Sequence, residues 1–330
     1  MRILAIETSC DETAAAVVEN GRTVLSDIVA SQIDTHKIYG GVVPEIASRM
    51  HIEAISAVTN QALTAATLSL DEIDAVAVTY APGLIGALLV GLNYAKGVAY
   101  AANKPLIAVH HLRSHVAANY LTHSDLKPPF LCLIVSGGHT QIADTASYTS
   151  FKIIGKTRDD AAGEALDKTA RVLGLPYPGG IHLDEAGVDG DKTAYAFPRP
   201  RVDGSLYDFS FSGLKTAALQ VIQKAKSDIV IADFAASFQF AVADYLCRNT
   251  LEAAKRLRHD KIVLAGGVSA NSVLRAMMQK QCKEAGFALC YPERSLCGDN
   301  AAMVGAQGYY EYQAGNIADL ACNAMPNMVM

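Results

Sequence analysis

Apolar and polar positions in the first hundred residues fall in short alternating blocks. Apolar runs at 3–6, 14–18 and 23–29 are separated by the polar stretch 7–12 and by the Asn20-Gly21 pair, which predicts a three-strand meander with a tight second turn. Ile52, Ile55, Val58 and Ala62 then recur at helical spacing, so a helix with one apolar face follows. A continuous apolar run at 75–79 reads as a buried strand, a Gly/Ala-rich helix comes next, and 106–109 is a further strand. The order is βββ-α-β-α-β.

Beyond Leu126-Lys127-Pro128-Pro129 the order recurs with insertions. Strands are predicted at 130–135, 140–143 and 151–155, the first two joined by Ser136-Gly137-Gly138-His139. Helical patterns cover 160–173 and 231–257, where Ile231, Phe234, Phe238, Val242 and Tyr245 share a face. A strand at 261–265, a helix over 269–285 and a strand at 288–291 complete the half. The repetition is one of topology and argues for duplication: an α/β chain of two tandem lobes. The expected division is 1–109 plus 299–330, an N-terminal lobe with a returning C-terminal helix, and 110–298, a C-terminal lobe with helical insertions. Hairpins tipped with small or acidic residues suit a nucleotide in a central cleft, because a glycine backbone can approach phosphate oxygens closely. This arrangement resembles the RNase H-like actin, Hsp70 and sugar-kinase superfold, which by itself names no reaction.

Composition narrows the class. With 51% hydrophobic and 18% charged residues over 330 positions, the chain is too apolar for disorder. The formal net charge of -5 leaves any nucleic-acid partner to a local basic patch or to other proteins. Arg49, Lys152, Lys156, Arg158, Lys168 and Arg171 are scattered, as on a solvated face. Acidic residues within the first dozen positions leave no room for a secretory leader, so a cytoplasmic location is expected. The stretch 81–102 carries Asn93, Lys96 and four glycines and reads as a buried helix, so no membrane partner is expected. Seven cysteines without a Cys-x-x-Cys pair read as reduced thiols.

Several segments carry candidate chemistry. His111 and His115 stand four apart at the start of a helix, the separation at which two imidazoles share one cation; a solvated or backbone-bonded pair is the plain alternative. No Glu follows the first histidine, so a zinc-peptidase reading lacks its base. Asp299 is a candidate third ligand, or simply the N-cap of the helix that follows. Ser136-Gly137-Gly138-His139 can cradle a phosphate or merely turn a hairpin. Gly266 to Asn271 offers a glycine backbone to a nucleoside, with Ser269 able to cap the next helix. Asp11 and Glu12 place two carboxylates on one turn, as a base or as a solvated acidic tip. Asp160, Glu164 and Asp167 form an acidic row at a helix start, which the helix dipole favours in any case. Gly180 lies in a rigid Pro/Gly turn.

Read together, these segments resemble the TsaD family, the bacterial tRNA N6-adenosine threonylcarbamoyltransferases, whose archaeal and eukaryotic relatives belong to the KEOPS complex. The likeness spans nearly the whole chain through Glu7-Thr8-Ser9-Cys10-Asp11-Glu12-Thr13, Gly40 to Glu45, His111 to His115, Val135 to Thr140, Asp208 to Thr216, Gly266 to Asn271 and Asp299 to Ala302. It implies one divalent metal, iron(2+) first and zinc also suited, on His111, His115 and Asp299. It places Ile134, Val135, Ser136, Gly137, Gly138, Asp167, Gly180, Asp184 and Asn271 around threonylcarbamoyl-AMP or ATP, with Asp11 and Glu12 near the transfer centre. Implied partners are tRNA, a TsaB-like homologue paired through the N-terminal lobe and a TsaE-like ATPase. Ala81 and Gly298 depart from the family pattern of Gly and Thr. A small-molecule kinase of the same superfold, or a nucleotide-switched scaffold, would use the hairpins but gives the histidine pair no task.

Overall fold

The computed structural model describes residues 1–225 and 228–330. Two compact units divide the chain: Met1–Pro128 with Ser147–Ser150 and Pro292–Met330, and Pro129–Ala146 with Phe151–Tyr291. In the first lie β1 (Arg2–Glu7), β2 (Glu12–Glu19), β3 (Thr23–Ser31), α1 (Ile33–His36), α2 (Pro44–Ala65), β4 (Ala75–Ala81), α3 (Ile85–Ala101), β5 (Leu106–His110) and α4 (His111–Thr122). The second holds β6 (Phe130–Val135), β7 (Thr140–Thr145), β8 (Phe151–Lys156), α5 (Ala162–Val172), α6 (Gly179–Ala186), α7 (Ser212–Ala225), α8 (Ile231–Leu257), β9 (Lys261–Ala265), α9 (Ser272–Ala285) and β10 (Ala288–Cys290). The chain then returns to the first unit as α10 (Ala301–Gln313).

Each unit has one five-stranded sheet, β3-β2-β1-β4-β5 and β10-β9-β6-β7-β8. In both, the opening hairpin pairs antiparallel and the later strands add in parallel to its first strand. The meander and the duplicated order expected from the sequence are therefore present. Burial on both faces explains the unbroken apolar runs: in β1, Ile3 and Ala5 pack with α10, while Ile6 packs with α2 and α3 and Leu4 with a smaller cluster. In the second unit β6 and β9 contribute to a core built with the Phe and Leu residues of α8.

The units break near Pro128 and Pro292, not at the expected 109/110 and 298/299. The helix that follows β5 packs against α10 and its core residue Ala118 joins the first cluster, so α4 stays with the strand that launches it. Two apolar positions also differ from the expected pattern. Ile52 is 64% exposed whereas His51 is fully buried, because α2 turns a polar histidine inward to hydrogen-bond the β1–β2 turn. Ile231, at the first turn of α8, is likewise exposed. Among the described residues no helix is long and apolar enough to cross a membrane.

Close approach of α10 to its sheet depends on missing side chains. A Cβ at Gly305 would lie 2.7 Å from Val18 Cγ2, and one at Gly308 2.7 Å from Ala77 Cβ. Gly308→Ala is therefore expected to lower stability through overpacking by about 1–3 kcal/mol, and with it the melting temperature. Gly97→Ala, where a Cβ meets nothing within 4 Å, should raise stability by about 0.5–1 kcal/mol through helix propensity alone. Thermal unfolding of the two variants checks the opposite signs.

Candidate metal centre and nucleotide cradle

The first unit gathers three of the expected ligands. His110, in extended conformation, ends β5 and leaves His111 as the first residue of α4, with His115 one turn on. Asp299 Oδ1 lies 3.5 Å from His111 Nε2 and 3.2 Å from His115 Nε2. The three ligand atoms fall within 4.8 Å of one another, a spacing that one cation can span. Asp299 does not cap α10. Asn300 does, its Oδ1 accepting from Met303 N at 2.9 Å, and its Nδ2 donates to Gly298 O at 2.8 Å. The adjacent asparagine thus takes the cap and holds the turn without any side chain at Gly298. Asp299 is turned toward the histidines.

Behind His111 stands a carboxylate that the sequence reading did not assign. Glu7 is fully buried at the end of β1 and lies 3.1 Å from His111 Nδ1. Its oxygens also accept from Thr79 Oγ1 at 2.6 Å and from Ser9 N at 2.5 Å, while Ser9 Oγ sits 3.1 Å from the same Nδ1. Burial works against the Glu7 carboxylate, yet the charge and hydrogen bond of His111 overcome it and hold Glu7 below its ordinary value. Burial likewise disfavours the His111 cation, but Asp299 and Glu7 outweigh it and push the imidazole up to about 9. The pocket therefore favours positive charge. Held at Nδ1 by a carboxylate, an imidazole presents Nε2 as its ligand atom.

His115 is 1% exposed and its Nδ1 has no hydrogen-bond partner. A buried ring in that position is costly, and a cation at Nε2 would use its idle lone pair. Two imidazoles and one carboxylate fit the metal implied by the family likeness, since this donor set suits iron(2+) and zinc alike.

Asp11 and Glu12 stand on the β1–β2 turn of the same unit. Burial, then the charge of Asp11 and of Asp299, pushes Glu12 up to about 9, and Ser31 Oγ donates to Glu12 Oε1 at 3.1 Å. The neighbouring Cys10 thiol is pushed up as well, first by burial and then by Asp11, which makes it a poor nucleophile. His51 anchors this turn through Nε2 to Cys10 O at 2.9 Å, with Thr13 Oγ1 2.7 Å from Nδ1; burial lowers its pKa, so the ring stays neutral.

The second unit holds the remaining candidates. Ile134 and Val135 are buried in β6, so only their backbone is available to a ligand. Gly137 and Gly138 are exposed, and a Cβ at either would meet nothing within 4 Å. Neither packing nor a positive φ demands glycine there, so the backbone of the pair is open to close approach. Gly266 is different: with φ +89 and a Cβ that would lie 2.4 Å from Val135 O, its glycine belongs to the fold.

Gly163 of α5 rests on the hairpin, its Cβ position 2.5 Å from Ser136 O. Asp167, one turn further along, accepts from Gly180 N at 2.7 Å. The expected acidic row is not a single surface. Asp160 precedes α5 and pairs with Lys215 and Lys168, Glu164 pairs with Lys168, and Asp167 alone meets the Gly180 turn. Asp184 accepts from Ser272 N at 2.9 Å and from Ser272 Oγ at 2.6 Å. Ser269 does not cap α9; a short 3-10 turn over Gly267–Ala270 intervenes and Asn271 takes the cap, accepting from Leu274 N at 2.9 Å.

Comparison with known proteins decides the family. A profile described as TsaD, tRNA N6-adenosine threonylcarbamoyltransferase, matches residues 23–306. The chain belongs to the TsaD family. A tRNA N6-adenosine threonylcarbamoyltransferase of Clostridium botulinum (strain Kyoto / Type A2) is 54% identical over 331 residues, covering 99% of this chain and 97% of that one. One from Clostridium perfringens (strain 13 / Type A) is 53% identical over 329 residues, with the same coverage. Among solved structures, the Thermus thermophilus ROK hexokinase superposes with a TM-score of 0.52 at 14% identity, covering 96% of this chain and all of that one. That likeness concerns the fold alone, and it gives the TsaD chain the α/β architecture of the actin, Hsp70 and sugar-kinase superfold.

A carboxyl whose folded pKa is raised binds more protons than in the unfolded chain, so it lowers stability as pH climbs from the unfolded to the folded value. Glu12→Gln removes that dependence. With a chelator present, the melting temperature of Glu12→Gln relative to the parent should rise from pH 4.5 toward pH 9 and then level off. A difference that is flat with pH contradicts the assignment.

Proposed function

We propose that the chain transfers the threonylcarbamoyl group of threonylcarbamoyl-AMP to N6 of the adenosine next to the anticodon, in tRNAs reading codons that begin with adenine. The observation that carries this reading is the His111, His115 and Asp299 cluster with Glu7 behind it, in a chain 54% identical to a protein named for that activity. A kinase of the same superfold has no task for the cluster. In the transfer, the N6 amine attacks the carbamoyl carbon, the new C–N bond forms, the C–O bond to phosphate breaks and AMP leaves with that electron pair.

His111, His115 and Asp299 would hold the cation, iron(2+) or zinc. Bound there, it would act as a Lewis acid toward the carbamoyl or carboxylate oxygens. Glu7 keeps His111 oriented, the positioning role that second-layer carboxylates play behind histidine ligands. The Gly137 and Gly138 amides would receive the phosphate, Asp167 would hold the Gly180 turn open to the ligand, and Asp184 and Asn271 would face the nucleoside. Asp11 and Glu12 would position the amine, and Asp11 would accept its proton once the C–N bond has formed, since Glu12 is held protonated. An adenine amine is a weak nucleophile, so orientation carries much of the rate.

The formal charge of -5 gives tRNA little long-range attraction, which supports reliance on partner proteins, a TsaB-like homologue and a TsaE-like ATPase. Together with tRNA as substrate, this fits a cytoplasmic location.

The test is reconstitution of the purified chain with threonylcarbamoyl-AMP, tRNA and the two partners, read by mass spectrometry of nucleosides. The parent should yield threonylcarbamoyladenosine, and the His111→Ala/His115→Ala double variant should lose both bound metal and product. Full transfer by the metal-free double variant contradicts the metal role. Glu7→Gln should keep the fold while weakening metal affinity by about 10–100-fold, measured by competition with a chromophoric chelator.

A further inference from the structure

Two helices of the second unit are joined by paired ties at consecutive residues. Asp184 of α6 takes the backbone N–H and hydroxyl of Ser272 at the start of α9. One residue back on each side, Leu183 and Asn271 are joined through a third side chain, Gln239 of α8. Its Nε2 donates to Leu183 O at 2.9 Å and to Ala235 O at 3.3 Å, and its Oε1 accepts from Asn271 Nδ2 at 2.6 Å. Gln239 is 2% exposed. Gly187 gives it room, since a Cβ there would lie 2.8 Å from Nε2.

The direction of this chain of amides is fixed at both ends by backbone. Leu274 N can only donate, so it must meet Asn271 Oδ1; Leu183 O can only accept, so it must meet Gln239 Nε2. Reversing either amide would set donor against donor or acceptor against acceptor in a buried site, at the cost of an unmade hydrogen bond. Asn271 is left with one N–H and one lone pair, both in a single orientation. A ligand meets a fixed donor and a fixed acceptor.

We infer that Gln239 is a positioning residue for the nucleoside moiety of the substrate: it holds the Asn271 amide in the one orientation that a nucleoside can use, and it ties that amide to Asp184 through the Leu183 carbonyl. This rests on the nucleotide reading of Asn271 given above. Gln239 touches no substrate. It acts through Asn271, so its effect should vanish once Asn271 is removed.

The test is titration calorimetry of the full purified chain with AMP, the leaving nucleotide, followed by transfer kinetics in the reconstituted system. Gln239→Met keeps the length and loses every hydrogen bond; it should raise the AMP Kd by about tenfold, the equivalent of one good hydrogen bond. The KM for threonylcarbamoyl-AMP should rise in step, while kcat and the KM for tRNA stay within about twofold. In an Asn271→Ala background, adding Gln239→Met should change the Kd no further, the signature of two residues acting as one. Gln239→Leu, a second replacement without hydrogen bonds, should match Gln239→Met and serves if the Met variant does not fold.

Parent-like AMP affinity in Gln239→Met, or full additivity with Asn271→Ala, overturns the inference while the nucleotide reading stands. Failure of the parent chain to bind AMP overturns both.

Discussion

The first unit is organised around a buried imidazole held between two carboxylates. Glu7 grips His111 at Nδ1 and Asp299 faces it at Nε2, so the ring lies in a field that draws positive charge at both nitrogens. Glu7 could not be buried so deeply without a counter-charge, and a lone buried acid would take up a proton instead. The strands follow from this constraint: β1 ends where Glu7 must stand, β4 brings Thr79 to the same oxygen that meets His111, and β5 releases the chain into α4 with His111 at its first position.

Asparagine governs the helix starts at both candidate sites. At α10 Asn300 caps and Asp299 is spared; at α9 Asn271 caps with its oxygen and keeps its amide for Gln239. In each case a short side chain satisfies the exposed backbone donors of a helix, and the adjacent or remaining polar groups are left for other work. The arrangement places chemistry on rigid helix ends in place of mobile loops.

Much of this was legible in the sequence. The meanders, the duplicated strand order and the His111–His115 spacing all follow from short-range periodicity, which a linear reading captures. What it could not reach depends on three dimensions. Glu7 ends an apolar strand and, read along the chain, is an ordinary polar boundary; only the fold brings His111 to it. His51 takes an inward position on α2 because the β1–β2 turn needs a donor, so the apolar count favoured Ile52 instead. Asp299 and Ser269 both precede helical patterns and are both plausible caps, but the true caps lie one and two residues further on, where the side-chain oxygen reaches the third amide. The α4 helix was assigned to the wrong half because nothing local marks its packing against α10.

The central claim is that one cation belongs between His111, His115 and Asp299. Anomalous diffraction from crystals of the chain grown with iron(2+) tests it most directly. The account predicts a single strong peak per chain at about 2.0–2.2 Å from both histidine Nε2 atoms and a carboxylate oxygen of Asp299. A chain that loads iron elsewhere, or shows no peak between these three side chains, would contradict it.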